Sequence, residues 1–200
     1  MAKKDAIKEK IRQGAMTCFE RYGLEKTTLD DIARMVGLNK ATFYYYYKNK
    51  EDIFLEAAIF EGELFLQTLQ ERVRTKTGIR DQIGYYLQER LNYYTHVLNM
   101  NKISVDSLQK LLPGFFELYE SVLQKEIKFL TELLEVARQQ KEIVVDDSTE
   151  LATLFIHTGD AVKHATEQKA LLQNNMHVDY TVAQKEIQLI TTYIFKGLLV

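Results

Sequence analysis

The chain has 200 residues, 46% of them hydrophobic, which is enough for one or two domains with a buried core. One proline and nine glycines are few interruptions for this length and favour an almost wholly helical protein. The single cysteine, Cys18, excludes an intramolecular disulfide framework and a cysteine-rich zinc site, and it is typical of a cytoplasmic protein. We expect no signal peptide and no membrane span, because no apolar run approaches the roughly 20 residues that a span needs.

The net charge of −2 is divided unevenly along the chain. Residues 1–50 contain 11 Lys and Arg against 6 Asp and Glu, a net charge of +5, whereas residues 51–200 carry a net charge of −7. A basic first quarter on an acidic remainder indicates that only one end meets a polyanion such as a nucleic acid.

The first quarter of the chain predicts three short helices. The first helix covers about Lys4 to Tyr22, where apolar residues recur every three or four positions, and Gly23 ends it. Thr28 begins the second helix, with Asp31 in the place where a capping box usually has Glu or Gln.

The second and third helices have the pattern of a helix-turn-helix. Gly37 ends the second helix, and Asn39 is a suitable cap for a third helix over Lys40–Tyr46. Two short helices joined by a tight turn, the second rich in hydroxyl groups, are typical of a motif that enters the DNA major groove. Phe43 and Tyr47 lie four residues apart and are expected to face the core.

Six further helices are predicted beyond residue 49. Pro113 stands where a helix can begin but cannot easily continue, so we predict a break there. The predicted helices cover about residues 50–74, 79–98, 104–112, 113–141, 149–173 and 179–199. The expected fold is therefore all-α, with about nine helices: a three-helix DNA-binding domain over residues 1–48 and a larger helical bundle over residues 49–200.

The opening motif resembles that of the TetR family of bacterial transcriptional regulators. The resemblance extends from Ile11 to Phe54 and consists of Phe19-x-x-Tyr-Gly23, Thr27-Thr-x-x-x-Ile-Ala33, Gly37, Lys40-Ala-Thr-Phe-Tyr44 and Lys48-Asn-Lys50. It departs from the family pattern at Tyr47, where phenylalanine is usual. The resemblance implies a homodimer that binds a near-palindromic operator in double-stranded DNA.

The candidate DNA contacts are of two kinds. The resemblance places the side chains of Thr42, Tyr44, Tyr46 and Lys50 on phosphates, which fix the register of a protein on DNA without reading its sequence. Lys40 and Ala41 begin the third helix, where base edges are read, although Lys40 could equally contact a phosphate. The start of the second helix at Thr28 could hold a phosphate, and Lys48 adds positive charge.

Aromatic residues of the larger part suggest a ligand cavity, although aromatic residues at helical spacing are more often plain core. A tyrosine hydroxyl or imidazole in an apolar wall needs a hydrogen-bond partner, which a ligand can supply. The candidate wall residues are Tyr93, Phe116, Tyr119 and His157. His157, Asp160 and His164 share a helical face, but we predict no metal and no cofactor there.

The last helix carries an apolar stripe that predicts a dimer interface. Its members are Ile187, Ile190, Ile194 and Leu198, more apolar than a terminal helix facing solvent requires. The expected function is a repressor of transcription that a small apolar or aromatic ligand releases from its operator. The alternatives are control by a protein partner without a small ligand and, since no catalytic motif is evident, a helical-bundle enzyme or carrier.

Overall fold

The structure, a computed structural model, describes residues 2–100, 103–175 and 177–198, without the side chains of residues 2, 3, 99, 100, 116 and 117. Its helices within these ranges are α1 (Ala2–Tyr22), α2 (Leu29–Met35), α3 (Lys40–Tyr46), α4 (Lys50–Arg74), α5 (Ile79–Met100), α6 (Val105–Gln139), α7 (Ser148–Leu172) and α8 (Thr181–Leu198). The predicted all-α class is confirmed. None of the described helices combines the length and the apolar character that crossing a bilayer requires.

The predicted break at Pro113 is wrong, because α6 continues through the proline. Proline removes one backbone hydrogen bond, a loss that tertiary packing can outweigh. Leu108 and Leu111 before it and Val122 after it are all buried, so the apolar side of the helix is used on both sides of the proline. The two helices predicted around this position are therefore one, and the described part of the chain has eight helices.

The described residues form two compact units. The first contains residues 1–62 and 96–119, and the second contains residues 63–95 and 120–200. The division of domains at residues 48 and 49 stays a prediction.

The core of the first unit joins α1 to the two short helices and the start of α4. Phe19 of α1 meets the ring of Phe54 edge-on, with centroids 5.7 Å apart. Further fully buried side chains are those of Ile11, Ile32, Phe43 and Ile53. Each short helix thus anchors one large side chain in a shared core.

Gly14 marks a close approach between α1 and the end of α2. A Cβ atom at Gly14 would lie 2.2 Å from Cγ1 of Val36, a β-branched side chain that is stiff about χ1. We expect Gly14→Ala to lower the free energy of unfolding by about 1–3 kcal/mol through overpacking, although alanine is the better helix former. Gly84→Ala in α5 is the control, because its Cβ would meet Thr191 at an ordinary 3.9 Å. Chemical denaturation would check the pair, and equal stability of the two variants would contradict the close packing of α1.

Candidate nucleic-acid interface

The turn before α2 is built as the sequence predicts. The side chain of Thr28 accepts a hydrogen bond from the backbone N–H of Asp31 (3.2 Å), and a carboxylate oxygen of Asp31 accepts one from the backbone N–H of Thr28 (3.0 Å). The predicted capping box is confirmed. Thr28 is exposed, but its hydroxyl also donates to Asp31 (2.6 Å).

A glycine turn then connects α2 to α3. Gly37 has a φ of +63°, in the left-handed region that favours glycine, and the N–H of Leu38 donates to the carbonyl of Ala33 (3.0 Å). Asn39 caps α3 by accepting from the N–H of Thr42 (2.8 Å). The bounds of α3 are those that the sequence predicts, Lys40–Tyr46.

One side of α3 anchors the helix and the other faces solvent. Phe43 and Tyr47 are buried, which confirms their predicted orientation. Burial, together with the charge of Glu56, raises the pKa of Tyr47, so its hydroxyl stays neutral in the core. Tyr44 is 47% exposed and Tyr45 is 74% exposed.

The remaining predicted residues of α3 lie at its accessible surface. Ala41 is exposed, whereas Thr42 and Tyr46 are half-buried. Tyr45, which the sequence analysis leaves out, meets the ring of Tyr46 edge-on, with centroids 5.2 Å apart. The sequence could have indicated Tyr45, because it lies between the two candidate contacts Tyr44 and Tyr46. The surface of α3 therefore has one more tyrosine than predicted.

Three lysines of the motif have different surroundings. Lys40 donates to a carboxylate oxygen of Asp30 (2.6 Å), and this hydrogen bond raises the pKa of Lys40. Lys50 donates to the carbonyls of Glu25 (2.8 Å) and Thr27 (3.0 Å), so it holds the loop between α1 and α2. An ammonium group has three N–H donors, which leaves one for a phosphate. Lys48 is exposed.

The start of α6 is fastened to the same loop in the first unit. Ser104 and Ser107 both donate to a carboxylate oxygen of Glu25, the second at 2.9 Å. These hydrogen bonds lower the pKa of Glu25, and the one from Ser104 has the larger effect. The loop that precedes the helix-turn-helix thus has contacts from both α4 and α6.

The candidate ligand residues are distributed over both units. The ring of Tyr93 stacks on Phe65 in the second unit, with centroids 4.1 Å apart, and Tyr119 stacks on Phe115 in the first unit, at 4.9 Å. The side chain of Phe116 lies outside the described residues. His157 is exposed on α7, so the prediction that it lines an enclosed wall within one subunit does not hold.

Carboxylates inside the second unit supply the partners that buried tyrosines need. Glu126 accepts from the hydroxyl of Tyr86 (2.8 Å), and Glu167 accepts from Tyr94 (2.9 Å) and Tyr180 (2.8 Å). These hydroxyls therefore need no ligand to be satisfied.

The same carboxylates belong to a buried ionic network. Arg90 joins Glu126 to Asp160, and Lys163 lies 3.5 Å from Asp160 and 4.2 Å from the ring centre of Tyr94. Nδ1 of His164 lies 3.0 Å from a carboxylate oxygen of Glu167. The described residues include no cluster of His, Cys, Asp and Glu suited to a metal ion.

The predicted dimer stripe of α8 is partly buried against the rest of the same chain. Ile187 is buried, and Ile190, Ile194 and Leu198 are half-buried. A different face of the helix is apolar and exposed, formed by Val182, Leu189 and Tyr193. One exposed face of α7 is also weakly polar, with Leu154, Ala161, Ala165 and Leu172 on it.

A capped pair of short helices, with lysine and hydroxyl side chains exposed on the second, defines a helix-turn-helix protein. Residues 11–57 match the model of the bacterial regulatory proteins of the tetR family. Over this segment, which is less than half of the chain, the protein is similar to that family.

Relatives match over the motif, and solved structures match over the fold. A 48-residue segment is 48% identical to the biofilm operon icaADBC negative transcriptional regulator IcaR of Staphylococcus epidermidis; it is 24% of this chain and about a quarter (26%) of that protein. A transcriptional regulator from Cytophaga hutchinsonii is 23% identical, with a TM-score of 0.74 over 96% of this chain and 98% of that one. A protein described as a transcriptional regulator from Saccharomonospora viridis, in complex with choline, is 19% identical, with a TM-score of 0.59 over 98% and 99%.

Proposed function

We propose that this chain is a sequence-specific DNA-binding repressor of transcription. The observation that carries the proposal is α3, whose exposed surface presents Lys40, Tyr44 and Tyr45 while Phe43 and Tyr47 hold it in the core. Hydroxyl groups can donate to phosphate oxygens, and lysine can donate to base edges or phosphates. We propose a repressor rather than an activator because IcaR, which shares the motif, is described as a negative transcriptional regulator.

Selection from a random DNA library tests the proposal. The retained duplexes should share a near-palindromic motif whose half-sites lie one helical turn apart, roughly 34–36 Å. The logarithm of the affinity should fall linearly with the logarithm of the salt concentration, because several phosphate contacts release counterions. Recovery of no shared motif would refute sequence-specific binding.

Tyr44→Phe should weaken binding to every sequence alike. It removes one hydroxyl without changing charge, so we expect a loss of about 2- to 10-fold per half-site and an unchanged salt slope. Tyr22→Phe is the matched control, because Tyr22 of α1 is 45% exposed and lies outside α3. Fluorescence anisotropy on the selected duplex would measure both, and equal affinities would remove Tyr44 from the phosphate contacts.

The repressor acts as a homodimer in this proposal. The exposed apolar faces of α7 and α8, with Leu154 and Leu172 on one and Leu189 and Tyr193 on the other, support an interface with a second copy. A two-fold axis through these faces would give the palindromic site its symmetry.

A small ligand with an apolar body is proposed to release the repressor. The second unit has a groove of about 280 Å³ between α4 and α6, with Leu66, Val122 and Phe129 among its lining residues and Lys125 and Glu132 adding charge. The choline complex of the Saccharomonospora viridis protein shows a small ligand bound in a chain of this fold.

Thermal denaturation against a panel of apolar, aromatic and quaternary ammonium compounds would test the ligand. A compound that raises the Tm and releases the repressor should weaken DNA binding, and the operator should weaken binding of the compound by the same factor, because coupling between two sites is reciprocal. If no compound in the panel stabilises the protein, control by a protein partner is favoured instead. The proposal that the chain binds DNA would still stand.

A further inference from the structure

The lysine that begins α3 is held by a carboxylate of α2. Nζ of Lys40 lies 2.6 Å from Oδ2 of Asp30, and the two side chains are 72% and 40% exposed. The pair thus joins the two helices of the motif at a surface open to solvent. Ion pairs of this kind contribute little to stability, so stability alone does not explain it.

The second oxygen of the same carboxylate is not satisfied. Oδ1 of Asp30 is buried and has no hydrogen-bond partner among the described residues. A buried acceptor without a donor costs free energy, so the orientation of Asp30 is unfavourable for folding. An unfavourable orientation that nevertheless positions a lysine suggests a role in binding.

Holding Lys40 changes what this lysine can recognise. A free lysine is a flexible point charge that pairs with any phosphate within reach. With one N–H donated to Asp30, the ammonium group keeps two donors, and the hydrogen bond restrains its position. Guanine offers two adjacent acceptors in the major groove, O6 and N7.

We propose that Asp30 is a specificity-determining residue that positions Lys40 on the major-groove edge of a guanine. The inference rests on the proposed DNA-binding function. It states that Lys40 reads one guanine in each half-site. The negative charge of Asp30 also repels phosphates, which lowers affinity for DNA of unrelated sequence. Asp30 therefore acts through Lys40 on sequence preference and directly on non-specific binding.

The full chain with Asp30→Asn tests the proposal on the duplex selected by the wild type and on its single-base variants. Preference for guanine at one position of each half-site should fall by about tenfold. Binding to unrelated duplexes should tighten at the same time, because a negative charge is lost. A structural defect would weaken both kinds of binding, so the opposite signs identify a positioning role.

Two further variants make the test specific. Glu20→Gln removes one negative charge from an exposed position of α1 and should leave the base preference unchanged. In a double-mutant cycle, Asp30→Asn should cause no further loss of preference once Lys40→Ala is present.

The outcomes separate this inference from the function on which it rests. If the wild type selects a motif but Asp30→Asn keeps the full preference, the pair is an ordinary surface ion pair and the inference is overturned. Additive losses in the cycle would also overturn it, since Asp30 would then act independently of Lys40. A wild type that selects no motif would refute the proposed function itself.

Discussion

Arg90→Met is expected to destabilise the chain by about 3–5 kcal/mol, because it removes the cation that joins two carboxylates inside the protein. Arg90 donates from Nε to Glu126 (2.7 Å) and from Nη1 to Asp160 (2.9 Å). Glu126 is fully buried. Methionine fills much of the volume of arginine, so the loss measures unpaired charge more than a cavity.

Chemical denaturation would measure this loss against two matched variants. Arg80→Met on the same helix changes an exposed arginine and should cost less than about 0.5 kcal/mol. Adding Glu126→Gln to Arg90→Met should recover part of the stability, because one of the buried charges is removed. A loss in Arg90→Met no larger than in Arg80→Met would show that the network does not support the fold.

The same variant should change how stability depends on pH. Burial alone would raise the pKa of Asp160, but the charges of Arg90 and Lys163 outweigh it and lower the pKa to about 2. A lowered pKa stabilises the folded state above the ordinary aspartate pKa of about 4, and this contribution is lost as the pH falls toward 2. Without Arg90, the pKa of Asp160 should rise, because the charge of Lys163 then opposes burial without that of Arg90. The stability difference between wild type and Arg90→Met should therefore narrow between about pH 5 and pH 2.

The helices of the motif follow from local sequence signals. The capping pair of Thr28 and Asp31, the cap at Asn39 and the turn at Gly37 each act within a few residues, and the structure places all of them as predicted. Pro113 shows the limit of such signals. Its lost hydrogen bond is visible in the sequence, whereas the packing that offsets it comes from distant parts of the chain.

The interior of the second unit depends on contacts that no local pattern records. Arg90 meets Glu126 and Asp160, 36 and 70 residues further along the chain. His157 is predicted to line an apolar wall, but it lies on the exposed side of α7, which is itself apolar. Apolar character alone therefore does not separate core from interface.

Helix α8 presents the same ambiguity, because it is apolar on two faces. One stripe is partly buried in the same chain, with Ile187 buried and Ile194 half-buried, and the other leaves Leu189 56% and Tyr193 61% exposed. Periodicity finds both stripes but does not state which one meets another element of the same chain. The exposed stripe is the one that we assign to the proposed dimer.

Leu189→Glu should therefore convert the proposed dimer to a monomer. A two-fold interface would bring two new carboxylates into an apolar contact, and burying an unpaired charge costs several kcal/mol. The side chain is exposed within one chain, so the fold of the monomer should change little. Light scattering should give a mass near the 23.4 kDa of one chain rather than twice that value.

Loss of the dimer should also reduce operator binding, by roughly 10²- to 10⁴-fold. In a dimer, binding of one helix-turn-helix holds the second at a high effective concentration near its half-site, and a monomer lacks this gain. Gln188→Glu adds the same charge at the neighbouring exposed position and should keep both the dimer and most of the affinity. A Leu189→Glu chain that stays dimeric and binds the operator would place the interface elsewhere. A monomer that keeps full operator affinity would instead show that one head suffices, and the two-fold recognition of a palindromic site would have to be abandoned.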